Sequence, residues 1–502
     1  MNSRTISAII LSSILFTAPF LFPRLFPLAW VGLVPLFYVV ERINTGRRAF
    51  AFGWLMGWLC NLLGFYWLVY TISVFGGFSY PTSVVVFLIF ASLEALQFAL
   101  FSLIVRRVGP GLLNLFPALF WVGIEYWFPH LFPWQVANTQ IQFLTLIQSA
   151  DIIGLYGTSF LVVWLNTIVY GMLFRHWGKL RQSLVSAALF AVVLLGAIIY
   201  GAARLPQVSA ESANAVKLTL AAVQGNIDID LKWNPAQWSR NLKSYQDLTS
   251  NARDAALVIW PESAYEPWLP ENNHQLPPEL RSALPPESSF FIFGARSYSG
   301  RPETSDFKAF NSAFLADNRG RILSGYHKQV LMAFGEYIPF STLLAQIPGV
   351  PKLESFSRGD AARTLDFSGG IRVAPLICYE DLMPELARAF VRQSKANLLV
   401  NLTNDAWYGN TVAPWQHARL AQWRAIETRR YLVRATNTGV TAVIDPTGAM
   451  VEALPTFSPG ILSSTVSILE GETLYVRFGD WFAWLVSGVS VVIFLSVMKR
   501  SK

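Results

Sequence analysis

The sequence predicts a multi-pass α-helical membrane domain with eight transmembrane helices, joined to an α/β domain. Three observations carry this expectation. Of 502 residues, 53% are hydrophobic and only 14% charged, where a soluble domain carries about 25% charged residues. The apolar residues gather into long runs at the two ends of the chain. Between Tyr200 and Trp481 the pattern changes to short apolar stretches separated by polar loops, as in a water-soluble domain.

Seven runs long enough for a bilayer lie in the first part of the chain: Ile6–Phe22, Leu25–Val40, Ala49–Tyr70, Ser83–Val105, Leu112–Trp127, Tyr156–Phe174 and Leu184–Tyr200. An eighth, Trp481–Met498, stands alone near the C-terminus. The first follows Arg4 as a signal peptide would, but it lacks a small-x-small cleavage site and runs straight into the second, so it is expected to be retained. The expected organisation is a seven-helix membrane region over 1–202, a water-soluble domain over 203–473, and a terminal helix with a short tail over 474–502.

Basic residues set the expected orientation. One set of alternate loops and ends holds Arg4, Arg42, Arg47, Arg48, Arg106, Arg107, Arg175, Lys179, Arg181, Lys499, Arg500 and Lys502, whereas the opposite set holds only Arg24. The positive-inside rule puts both termini in the cytoplasm and the middle domain on the far side, which in a bacterium is the periplasm. The whole chain carries +8, yet residues 203–480 hold 26 Lys+Arg against 27 Asp+Glu. The outer domain is therefore not basic, and a nucleic-acid partner is not expected.

Within the outer domain, strand-like runs are Val216–Val223, Ala255–Trp260, Ser289–Phe293, Ala313–Ala316, Ile371–Ile377, Ala396–Leu402 and Gly439–Ile444. Helical patterns fall at Pro235–Ala252, Pro384–Gln393 and Pro414–Arg430, where proline suits a first helical turn. Three strand ends carry reactive side chains: Glu262 after Trp260-Pro261, Lys328 after Tyr326-His327, and Cys378 after Ile371–Ile377. Strand ends of an α/β sheet present functional groups on a rigid frame.

Two cysteines exclude a disulfide scaffold, and five scattered histidines give no metal-ligand spacing, so neither a metal nor an organic cofactor is expected. Cys60 lies in a predicted span and is not placed to pair with Cys378. A lone cysteine of this kind is either a buried, inert side chain or a nucleophile. A nucleophile needs a base or a cation beside it, and no Cys–His spacing offers one; Glu262 and Lys328 are the alternatives, as base and cation.

At this point the residues match a family. Trp260-Pro261-Glu262-Ser263-Ala264, Tyr326-His327-Lys328 through Phe334-Gly335-Glu336-Tyr337, and Leu376-Ile377-Cys378-Tyr379-Glu380 resemble the Glu–Lys–Cys signatures of the nitrilase (carbon–nitrogen hydrolase) superfamily. Gln224-Gly225-Asn226 with Lys232-Trp233, the stretch Asn401 to Gly409 with Trp415-Gln416-His417, and Arg434 to Gly439 narrow the resemblance to the apolipoprotein N-acyltransferase family, over essentially the whole chain. Two positions depart from the pattern. Leu331-Met332-Ala333-Phe334 stands where a proline usually precedes the phenylalanine, which is expected to loosen the loop carrying Glu336, and Thr403 stands where serine is common.

The resemblance implies an α-β-β-α sandwich and a two-step acyl transfer. Cys378 takes an acyl group from a phospholipid as a thioester, then passes it to the α-amino group of a diacylglyceryl apolipoprotein. Glu262 is the base and Lys328 stabilises the oxyanion. Glu336 is carried over as a residue positioning Lys328 or Glu262, a second carboxylate that would raise the pKa of Glu262. Tyr379, Glu380 and Trp233 are carried over as supporting residues. The partners implied are a phospholipid donor, a diacylglyceryl apolipoprotein acceptor and membrane lipid, with a monomer as the simplest state.

Further expectations concern lipid. The apolar stretch from Phe334 to Phe356 reads as a lid or interfacial loop, and Trp407 and Tyr408 suit headgroup level. Glu94, costly inside a span, should face a partner or a cavity, and Phe128 to Gln140 reads as re-entrant. Two other functions compete. A membrane-tethered amidase would use the same three residues with water as acceptor, and a non-catalytic lipoprotein carrier would leave them without a task.

Overall fold

The computed structural model describes residues 3–174, 180–252, 254–282, 289–301, 303–304, 306–333, 335–337 and 355–500. Two compact units divide the chain: residues 1–69, 79–206 and 478–502 form one, and residues 70–78 with 207–477 the other.

The first unit is helical. Among the described residues, six helices or helix pairs are long and apolar enough to cross a bilayer: Ser3–Leu21, Pro23–Arg42, Tyr80–Val108, Tyr156–Phe174, Leu180–Asn214 and Trp481–Lys499. Gly46–Gly64 with Leu68–Gly76, of which residues 70–76 group with the second unit, makes a seventh if that bent pair is one span. Start signals are local: Thr45 accepts from the Arg48 N–H, and Ser79 from the Thr82 N–H. The run Leu112–Trp127 departs from the predicted span. It folds as a helix of 12 residues, Phe116–Trp127, about 18 Å long at the rise of an α-helix. Leu113 and Asn114 adopt positive φ values of 51° and 56°, and Phe128 leaves the helix extended ahead of Pro129. The eight-span count thus does not follow from helix length alone among the described residues.

Buried polar side chains tie the segment after Phe128 into this unit. Glu94 accepts from the Leu131 N–H at 3.1 Å and lies 2.8 Å from His130 Nδ1, so it has partners rather than lipid around it. Glu125 accepts from Val136 N at 2.7 Å and from Trp121 Nε1 at 2.9 Å. Two carboxylates therefore hold the irregular backbone after Phe128 and the start of the short 3-10 helix Val136–Gln140, the kind of backbone that a membrane interior tolerates only where its polar groups find protein partners.

The second unit is an α/β domain built on two sheets. Its strands are β1 (Val216–Gln224), β2 (Leu257–Ile259), β3 (Tyr265–Pro270), β4 (Phe290–Ser299), β5 (Lys308–Ala316), β6 (Ile322–His327), β7 (Leu365–Phe367), β8 (Ile371–Ile377), β9 (Leu398–Thr403), β10 (Leu432–Thr436), β11 (Ala442–Ile444), β12 (Met450–Ala453) and β13 (Gly460–Ile468). The first sheet runs β13-β1-β2-β4-β5-β6, with β3 also on β4, and the second runs β12-β11-β10-β9-β8-β7. β1, β2 and β4 are parallel neighbours in one sheet, and β8, β9 and β10 in the other. Both ladders end in antiparallel hairpins.

Leu218, Leu220 and Ala222 of β1 share a buried core with Leu376, Val400 and Val433 of the second sheet. On the far side of the first sheet, Val258, Trp260, Phe291 and Phe293 pack with Tyr245 of the helix Trp238–Thr249. Helices Pro384–Gln393 and Ala413–Thr428 flank β8 and β10. This is the expected α-β-β-α layering. Strands buried on both faces read as near-continuous apolar runs, which is why β1, β8 and β9 were predictable. β13 was not predicted: its Ser463, Ser464 and Thr465 dilute the signal, yet it pairs β1 from Val216↔Ile468 to Gln224↔Gly460.

Candidate active site

Each predicted reactive residue sits just past a strand. β2 ends because Pro261 has no N–H to offer a ladder. Trp260 anchors that end, stacking on Tyr245 at 4.9 Å and donating Nε1–H to Thr249 at 2.9 Å. Glu262 follows, and Ser263 turns the chain with a left-handed φ of 49°. Gly294 of β4 lies directly beneath: a Cβ there would stand 2.6 Å from Pro261 O and 2.7 Å from Glu262 Cα, so only glycine fits. Lys328 continues β6, its N–H donating to Asn311 O at 2.9 Å. Cys378 opens the turn Cys378–Leu382 after β8 with φ 53°, a conformation that non-glycine residues rarely adopt.

The three converge. Lys328 Nζ lies 4.0 Å from Glu262 Oε1 and 2.8 Å from Glu336 Oε2. Asn311 of β5 bridges the carboxylates, its amide donating to Glu262 Oε1 at 2.7 Å and to Glu336 Oε1 at 2.8 Å. Glu262 also accepts from the Asn404 N–H at 3.1 Å, and Glu336 from the Met332 N–H at 2.9 Å. Glu336 thus touches Lys328 directly and reaches Glu262 through Asn311. Its turn lacks the usual proline but is closed by the Glu336 N–H donating to Met332 O at 2.8 Å.

Electrostatics follow from burial. Lys328 is 1% exposed and Cys378 9%. Burial pushes the Cys378 thiol well above its ordinary range, and the Glu262 charge pushes the same way, while Lys328 and a Thr403 hydrogen bond oppose it. Burial likewise raises Glu262, with Lys328, Asn311 and Cys378 lowering it and Glu336 raising it. For Lys328 burial alone would favour the neutral amine, but the charges of Glu336, Cys378 and Glu262 outweigh it and hold the ammonium. The arrangement therefore keeps one fixed cation beside a carboxylate of raised proton affinity and a thiol that needs a base.

The supporting residues fall into different surroundings. Glu380 is buried and accepts from Tyr326 OH at 2.9 Å, Gln329 N at 2.6 Å, Val330 N at 3.0 Å and Ile377 N at 2.8 Å, tying the ends of β6 and β8 together. Burial raises its pKa to about 7. Tyr379 is half-buried in the turn beside Cys378. Trp233 is half-buried too; the Arg296 guanidinium lies 4.8 Å from its ring and the Trp407 ring 6.4 Å away, nearly parallel. Tyr408 corrects an expectation: it is 5% exposed and packs edge-on against His417, so it does not offer its ring to a membrane surface. The expected lid lies outside the described residues over Phe334 and 338–354, leaving only its ends, Gly335 to Tyr337 and Ser355 with Phe356.

Sequence reasoning missed several residues. Asn311 gave no signal, because an asparagine in a strand matters only once its partners are known. Asn401 holds the nucleophile turn, its amide donating to Leu376 O and Cys378 O at 3.0 Å each. Behind that turn His417 joins Asp381 at 2.8 Å and Asp405 at 2.9 Å, and Arg434 pairs with Asp381. Asn401, Asp405, His417 and Arg434 stand within motifs that carried the resemblance, which was the available clue.

Comparison with known proteins identifies the family. Residues 219–472 match the carbon-nitrogen hydrolase family, and residues 12–168 match the apolipoprotein N-acyltransferase N-terminal domain. The apolipoprotein N-acyltransferase of Geobacter metallireducens is 36% identical, over 98% of this chain and 95% of its own. That of Azotobacter vinelandii is 33% identical, over 95% and 90%. Among solved structures, an amidase from Nesterenkonia sp. aligns over 53% of this chain and 96% of its own at 22% identity, with a TM-score of 0.37, too distant a likeness to carry a functional conclusion. The matched domains and the near full-length relatives place this chain in the apolipoprotein N-acyltransferase family.

Proposed function

We propose that this chain transfers an acyl group from a membrane phospholipid to the α-amino group of an N-terminal S-diacylglyceryl-cysteine, through a thioester on Cys378. Its family makes it an acyltransferase, with lipid and lipoprotein substrates in the general sense. The observation that carries the finer reading is the convergence of Glu262, Lys328 and Cys378 from the ends of β2, β6 and β8.

In the first half-reaction Glu262 takes the thiol proton as Cys378 Sγ attacks the ester carbonyl. The oxyanion forms where Lys328 holds a pre-placed charge. Collapse breaks the ester C–O bond, and the lysophospholipid oxygen leaves with the proton from Glu262. In the second half-reaction the neutral amine attacks the thioester, Glu262 takes a proton from the nitrogen, and the thiolate is released and reprotonated. The raised proton affinity of Glu262 suits both directions of transfer. Glu336 and Asn311 fix Lys328 against Glu262, Glu380 and Tyr379 support the turn of the nucleophile, and Trp233 lines the approach.

The twelve-to-one distribution of basic residues supports eight spans with both termini cytoplasmic and the domain over 203–473 in the periplasm. We read the enzyme as a monomer. The test supplies purified protein with phospholipid and a diacylglyceryl-cysteine peptide. N-acylated peptide and lysophospholipid in equal amounts are expected; free fatty acid with unmodified peptide would instead make the chain a hydrolase.

A further inference from the structure

Lys232 has no task in the two half-reactions, yet it is placed beside their base. It ends the short helix Ile229–Lys232, is 0% exposed, and donates from Nζ to Ser263 O at 2.8 Å. Ser263 directly follows Glu262 and holds the left-handed turn. The Glu262 backbone is thus gripped on one side by the Gly294 contact and on the next residue by a buried ammonium.

A buried ammonium demands compensating charge. The groups facing it are Glu262 in the loop after β2, Glu266 of β3 and Arg296 of β4, with the Trp233 ring 5.8 Å from Nζ. Glu262 and Glu266 favour the charged form and Arg296 opposes it; burial, the largest influence, lowers the pKa to about 8, which leaves the ammonium charged at neutral pH. Glu266 is engaged with Asn241 at 2.9 Å. On its other side Glu262 faces Lys328, Glu336, Asn311 and Cys378. Lys232 is therefore a second cation near Glu262, on an element separate from Lys328.

We propose that Lys232 is a positioning residue for Glu262, fixing the Ser263 carbonyl so that the carboxylate points at Cys378 and adding a charge that favours the carboxylate form. This rests on the reading of Glu262 as base and Cys378 as nucleophile. The coupling is reciprocal: a cation that Glu262 stabilises must in turn stabilise the Glu262 anion.

Three variants separate the parts. Lys232→Gln removes the charge and leaves a neutral donor one atom shorter on the side of Ser263 O; Lys232→Met removes both charge and donor; Lys232→Arg keeps both. The readout is acyl-enzyme formation on Cys378 with phospholipid, followed by intact mass against pH in the detergent-solubilised full chain. Lys232→Gln should move the acid limb upward by about one pH unit, the lower end of an opposite-charge effect, with its plateau little changed. Lys232→Met should show the same shift and lose about tenfold or more of the plateau, as mispositioned reacting groups do. Lys232→Arg should keep the wild-type limb. Wild-type acid limbs in the Gln and Met variants, or a shifted limb in the Arg variant, overturn the proposal; whichever of the three folds suffices for its own comparison. A wild-type chain that forms no adduct at all would instead overturn the reading of Cys378, and this inference with it.

Discussion

Glu336→Gln is the most informative single substitution. The Glu336 carboxylate accepts from three donors: Lys328 Nζ at 2.8 Å, Met332 N at 2.9 Å and Asn311 Nδ2 at 2.8 Å. Glutamine has the same shape but turns one oxygen into a donor. In one amide orientation its NH2 meets the Lys328 ammonium and the Met332 N–H, and in the other it meets the Asn311 amide. Donor then faces donor inside a buried cluster. Losing one partner of a buried ion pair costs about 3–5 kcal/mol, and the bonds that remain soften this, so a loss of about 2–4 kcal/mol of stability is expected. A displaced Lys328 should slow acylation by about 10²–10³-fold, the cost of one oxyanion donor. The pH sign follows from charge. Removing a like charge lowers the proton affinity of Glu262, so the acid limb of acylation should move to lower pH. Rapid-quench intact mass of the acyl-enzyme across roughly pH 4 to 9 brackets the carboxylate and thiol ranges and reads both quantities. A folded variant with the wild-type plateau, or with an acid limb moved to higher pH, would refute the reasoning.

Other expectations follow from individual contacts. Gly294→Ala drives a methyl to 2.6 Å from Pro261 O and Ser263 N; it should cost about 1–3 kcal/mol in melting experiments and reduce transfer more than tenfold, since the strained backbone carries Glu262. Glu380→Gln leaves either Ile377 N or the trio of Tyr326, Gln329 and Val330 facing an amide NH2; thermal unfolding should register about 1–3 kcal/mol. The charges of Asp381 and Asp405 overcome burial and raise His417 to about 9. A folded pKa above the unfolded value of about 6.5 gives stability that is full below that pH and lost as pH rises through about 9, by up to about 3 kcal/mol. The melting difference between wild type and His417→Gln should therefore shrink from neutral pH to pH 10; a constant difference would show that His417 stays neutral.

The sequence carried much of the architecture, for identifiable reasons. Strands buried on both faces, such as β8 and β9, read as apolar runs, and proline marked the starts of two flanking helices. Glu262 and Cys378 were legible because each follows such a run where the pattern breaks, whereas Lys328 follows the half-exposed β6 and was legible mainly through the motif that carried the resemblance. The helix within Leu112–Trp127 is shorter than its apolar run because hydropathy records composition and not the positive φ at Leu113 and Asn114 that delays its start. Asn311 was illegible because its role is relational: one amide bridges two carboxylates that lie 49 and 25 residues away in sequence. Tyr408 was misplaced because an aromatic beside a lipid-handling motif looks interfacial until its packing against His417 is seen.

The central claim is that Cys378 carries the acyl group between two lipid substrates. Its most direct test is the intact mass of the full chain after incubation with a phospholipid of defined acyl composition, before and after addition of diacylglyceryl-cysteine peptide. One added acyl group on Cys378, absent in Cys378→Ala and discharged onto the peptide amine, is the predicted result. Peptide N-acylation that survives Cys378→Ala without any adduct would contradict it.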